Sequence, residues 1–122
     1  MKLAIATLSA LTLWAIVPPA AAADLKLPAP SPLARVMQTV GVTEVTVEYS
    51  SPGVKGRKIF GDLVPMDAIW RTGANSSTKI TFSTDVKVAD QDVPAGTYAV
   101  FMIPGKRKWT VILNKNADQG GT

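Results

Sequence analysis

"TEVTVEY", residues Thr43–Tyr49, puts Val45, Val47 and Tyr49 on one side of an extended chain and Glu44, Thr46 and Glu48 on the other. A period of two with β-branched residues on the apolar side predicts a half-buried β-strand, since only an extended backbone keeps alternate side chains on one face. The same pattern continues outward from this stretch. "ARVMQTV" (Ala34–Val40) precedes it and ends at Gly41. "TKITF" (Thr78–Phe82) sends Ile80 and Phe82 one way and Lys79 and Thr81 the other. "VKVADQDVPAG" predicts a short strand at Val86–Val88, then a polar tip and a turn at Pro94 and Gly96. "TYAVFMI" (Thr97–Ile103) is apolar on both faces, which predicts a strand central to its sheet. Pro104-Gly105 ends it, and "WTVILN" (Trp109–Asn114) follows across Lys106-Arg107-Lys108 as the second arm of a hairpin. No stretch after residue 23 keeps a helical period over three turns. The expectation is all-β: an antiparallel β-sandwich with one long ordered loop over residues 50–69.

The first residues predict a compartment. Met1-Lys2 gives a charged start, Leu3–Val17 is apolar, and Pro18-Pro19 leads into Ala20–Ala23. That order is a secretory signal peptide cut after Ala23, and the apolar run is shorter than the ~20 residues of a spanning helix. The expected organisation is a signal peptide over residues 1–23, a Pro-rich linker over 24–33 leading away from the cut, and one β-sandwich domain over 34–122. The expected product is periplasmic or secreted, with no membrane span after cleavage.

The chain has 13 Lys and Arg against 9 Asp and Glu; losing Lys2 with the signal peptide leaves a net charge of +3. This mild excess favours solubility and weak attraction to anions, and does not suggest a nucleic-acid partner. Cysteine is absent, so burial of apolar side chains must hold the exported domain without disulfides. Histidine is also absent, which closes off imidazole general bases, Ser-His-Asp triads and ordinary zinc, copper or haem ligation. No cofactor, metal or catalytic residue is assigned.

The segment Ser50–Ile69 breaks the strand pattern. Structureless loops above ~12–15 residues are uncommon and tend to be functional or disordered. This one carries Val54, Ile59, Phe60, Leu63 and Val64, which should pin it against a sheet; a helical turn is expected at Gly61–Val64 or Asp67–Trp70. Its "SPGVKGRKIFG" (Ser51–Gly61) lacks the glycine spacing of nucleotide-binding loops. Lys55, Arg57 and Lys58 beside glycine backbone, joined by Arg71 and Asn75, are the candidate contacts for a carboxylate, phosphate or sulfated sugar. The competing reading is a solvated turn whose cations only keep it in water. Trp70 reads as core, or as a sugar-stacking face. A histidine-free hydrolase would need carboxylates, and Asp62, Asp67 and Glu48 are the candidates. Asp90 and Asp92 read as a polar hairpin tip; a calcium site would need more oxygen ligands.

"YSSPGVKGRKIFGDLVP", "IWRTGANSSTKITF", "PAGTYAVFMIPG" and "WTVILNK", in that order, resemble the bacterial exported family called domain of unknown function 2911, over about Ser31–Gln119. The resemblance implies a secreted, mostly β domain and supplies no activity, substrate or site residues. It also implies that members run on past the "NK" block through an aromatic stretch and further strands. This chain stops at "NADQGGT", so one or two C-terminal strands are expected to be missing through a gene fragment or a frameshift near Gln119, leaving an open sheet edge. The functional expectation is a non-enzymatic binding or structural module of the cell envelope, for an anionic component or a glycan. The alternatives are a carboxylate-dependent, glycosidase-like hydrolase and a fragment without function.

Overall fold

Alternation of side chains along the chain becomes, in the computed structural model, two antiparallel sheets. The structure describes residues 25–120; the expected signal peptide and its cut lie outside the described residues. The strands are β1 (Leu33–Val40), β2 (Thr43–Ser50), β3 (Thr78–Phe82), β4 (Val86–Val88), β5 (Gln91–Val93), β6 (Gly96–Ile103) and β7 (Thr110–Asn114). Five form one sheet in the order β1-β2-β3-β6-β7, and β4-β5 form a two-stranded sheet. The fold is all-β, consistent with a sandwich whose second layer is small. Among the described residues there is no helix, so none long and apolar enough to cross a membrane.

Local chemistry explains the turns. β1 and β2 join through Gly41-Val42, with Val40 opposite Thr43; Gly41 has φ +61°, the conformation that a two-residue hairpin demands of its first central residue. β4 and β5 join through Ala89 and Asp90, both with positive φ, which is the other two-residue hairpin geometry. β5 was not expected: "QDV" carries one apolar residue and reads as a polar tip. Pairing with β4 makes it a strand, and Lys87 and Asp92, opposite one another, close an ion pair at 2.8 Å. Asp92 is thereby paired, and Asp90 lies in the hairpin turn.

Register decides the core. Val45 faces Phe82, Val47 faces Ile80, and Ile80 faces Tyr98, so these share one face of the large sheet. The small sheet lays Val86 and Val93 against that face, around Phe82, Tyr98 and Leu113. The Tyr98 hydroxyl donates to the Pro94 carbonyl at 2.7 Å, so burying the ring does not strand its polar tip. On the other face, Lys79, Ala99 and Asn114 stand side by side. The C-terminal turn closes over that row: Lys79 pairs with Asp118, and the Asn114 amide donates to Gln119. Ala99, in the middle, is fully buried. β6 is buried on both faces over Tyr98–Phe101, as its sequence requires, and lies between β3 and β7, next to the sheet's middle strand. β1 and β7 are the sheet edges.

Candidate functional site

The long loop is ordered by backbone turns, not by a helix. At residues 58–64 the Val64 amide donates to Ile59 and the Gly61 amide to Val64, so the chain makes a tight knot with Val64 buried in it. The expected helical turn at Asp67–Trp70 is also absent. Asp67 donates its amide to Pro104, and Trp70 exchanges both backbone bonds with Met102. The reason is the free edge of β6 beyond the end of β3: residues 67–70 satisfy it as a strand-like segment, and a helix there would leave those groups unpaired.

Between this loop, the 70–74 bend and the end of the Pro-rich segment lies a cavity of about 530 Å³, within the ~300–1,000 Å³ range of small-molecule sites. Apolar side chains of Val54, Ile59, Leu63 and Val64 line it, together with Trp70. Lys55, Arg57 and Arg71 supply its charge, and among the described residues no carboxylate lines it. Of the five expected contacts, then, the fold brings three together. Lys58 and Asn75 are not among the lining residues.

Each cation is placed for a reason. Lys55 and Gly56 both have positive φ, turning the loop so that residues 53–57 fold back on themselves. Arg57 locks that bend: Nε donates to the Val54 carbonyl at 3.0 Å and Nη2 to the Gly53 carbonyl at 2.7 Å. Its remaining N–H groups have no partner among the described residues. Arg71 is half-buried beside Trp70. None of the three forms an ion pair among the described residues, where the pairs are Lys79–Asp118 and Lys87–Asp92.

Asn75 works as a clamp. Its side-chain amide reaches the Ser50 hydroxyl at 3.2 Å and the Ser31 carbonyl at 3.4 Å, and φ is +59°, a conformation asparagine tolerates better than most residues. It ties the 70–75 bend to the end of β2 and to the proline segment. That segment does not simply lead away: the Ser51 amide donates to Pro32, and Pro30 and Ser31 form part of the cavity wall. Nothing in its composition signals this, because prolines in a wall and prolines in a linker look alike in sequence.

Trp70 is half-buried, outside the core formed around Phe82 and Tyr98. It lines the cavity, and its ring packs edge-on against Phe60 and Trp109, with centroids at 5.7 and 6.4 Å. Phe60 and Trp109 are 5.1 Å apart, so residues from three separate segments make one aromatic cluster.

The candidate carboxylates lie elsewhere. Asp62, Asp67 and Glu48 do not line the cavity. Glu48 stands in register between Arg35 on β1 and Lys79 on β3, though Lys79 closes its ion pair with Asp118. Among the described residues no group of Asp and Glu is arranged to hold a metal ion.

The family model described as protein of unknown function (DUF2911) matches residues 31–122, from the cavity's Ser31 through every strand. The chain belongs to the DUF2911 family. Neither curated proteins nor solved structures give a match. For this DUF2911 domain the cavity, with its apolar floor and three unpaired cations, is therefore the feature from which function must be argued.

Proposed function

We propose that this DUF2911 domain is a binding module of the bacterial cell envelope, and that its ligand is a small molecule carrying an anionic group. Export rests on the charged, apolar and small-residue order of residues 1–23, and places the product in the periplasm or outside the cell. The observation that carries the binding reading is the cavity wall: Lys55, Arg57 and Arg71 converge there without an acidic partner among the described residues, over an apolar floor with Trp70 in it. A cation with no acid beside it, held by a folded loop, costs no ion pair when an anion arrives. The apolar floor suits the body of such a ligand, and an anionic sugar or sugar phosphate has both parts.

A thermal-shift panel of sulfate, inorganic phosphate, sugar phosphates and sulfated sugars tests this at low and moderate salt. Saturating ligand should raise the melting temperature, because a ligand that binds only the folded state stabilises it by about 2.7 kcal/mol at a hundred times Kd. Arg71→Ala should weaken binding by about tenfold or more, the loss of one charge-assisted hydrogen bond. No shift with any anion, or shifts that survive replacement of Lys55, Arg57 and Arg71 together, would remove the proposal.

A further inference from the structure

The aromatic cluster beside the cavity is not sealed from water. Phe60 and Trp109 are 46% and 44% exposed although they pack against each other. Leu63, in the same loop knot as Phe60, is 54% exposed. Isolated exposed apolar residues need no explanation, but a group built from separate segments marks an interaction surface. The segments that carry it are cationic. Lys106, Arg107 and Lys108 form the exposed tip of the β6–β7 hairpin and run directly into Trp109, and Lys58 lies two residues before Phe60. The acidic groups in these segments are Asp62 and Asp67, so four cations stand against two carboxylates, and none of the six forms an ion pair among the described residues.

Exposed aromatic side chains flanked along the chain by Lys and Arg suit a headgroup boundary, where rings enter the upper acyl region while cations meet anionic phosphates. From this we infer that the Phe60–Trp109 face is a peripheral docking surface for an anionic lipid bilayer. The hairpin tip and the 58–63 knot go in first, and no strand crosses the membrane. The surface adjoins the cavity, with Leu63 and Trp70 common to both, but its cations are Lys58 and those of the hairpin tip, none of which lines the cavity, so replacing the hairpin-tip lysines tests it apart from the proposed anion site.

Co-sedimentation of the full chain with vesicles of phosphatidylcholine alone, and of phosphatidylcholine mixed with phosphatidylglycerol, tests the inference. Residues 1–23 are present in every variant, so any binding they cause is a constant background. The expected result is preference for the anionic vesicles, weakening with added salt. Lys106→Gln with Lys108→Gln should reduce binding by about tenfold or more. The charge-matched pair Lys87→Gln with Lys115→Gln should change it by less than about twofold. Phe60→Ser, at a half-exposed position that is outside the core and does not line the cavity, should also weaken binding on the order of tenfold. With Trp14 replaced by Phe throughout, tryptophan emission should shift to the blue on binding, and Trp109→Phe should remove most of that shift. Melting curves check that each variant is folded. Equal binding to both vesicle types, equal losses from the two lysine pairs, or full binding by Phe60→Ser would each overturn the inference.

Discussion

Single residues at the ends of β6 and in the loop fix geometry that no neighbour could restore. A Cβ built on Gly105 would lie 2.5 Å from the Lys108 carbonyl oxygen, a backbone atom that cannot swing aside. Gly105→Ala should therefore force open the turn that carries Lys106–Lys108. It should cost about 1–3 kcal/mol and lower the melting temperature by roughly 4–20 °C; an unchanged melting curve would contradict this close approach. Arg57 shows a different dependence. Its planar fork reaches two loop carbonyls at once, which a lysine ammonium on a flexible stem does not reproduce. Arg57→Lys should keep the charge yet loosen residues 53–57, read as faster amide exchange there and about a threefold to tenfold weaker anion response. Its position beside glycines suggested this loop as a site, but the bracing function depends on two carbonyls whose positions the sequence does not give.

At the level of elements, the edge strand β1 carries a consequence of its own. Val36, Met37 and Val40 are more than half exposed, and β1 pairs only with β2. A long apolar edge with a single charge, Arg35, is a template for pairing with another chain. Val36→Lys should lower light scattering on concentration or heating while changing stability by less than about 0.5 kcal/mol, as for exposed positions generally. Equal aggregation of the two proteins would show that this edge is not the point of association. The strands themselves were legible: alternation predicts β1, β2, β3, β6 and β7 to within a residue or two of their observed ends, because a period of two is a local property. β5 was not, since three residues with one apolar side chain carry too little pattern and owe their extension to β4. The 67–70 segment failed for the same reason, its form being set by an unsatisfied stretch of β6.

Across the whole molecule, one apolar core must hold both sheets without a disulfide. Phe82 sits where the layers meet, beside Val93 of the small sheet and Tyr98 of the large one. Phe82→Ala should cost about 3–5 kcal/mol, a large share of the ~5–15 kcal/mol typical of a small domain. Its melt should move down as one transition; two separate transitions would mean that the small sheet folds independently of the large one. The sequence by itself determined that the chain is all-β, that β6 is buried on both faces, and that imidazole and thiolate chemistry is closed to it. Those conclusions rest on composition and on neighbours two residues apart, and they need no knowledge of what lies across the sheet. Only the tertiary structure decided that β3 pairs with β6 past the β4–β5 hairpin, and that Lys55, Arg57 and Arg71 share a cavity while Asn75 clamps its rim. It also decided that Phe60, Trp70 and Trp109 meet. These are contacts between segments far apart in the chain, set by strand register and loop closure, and a one-dimensional pattern holds no record of which distant partner a side chain will find.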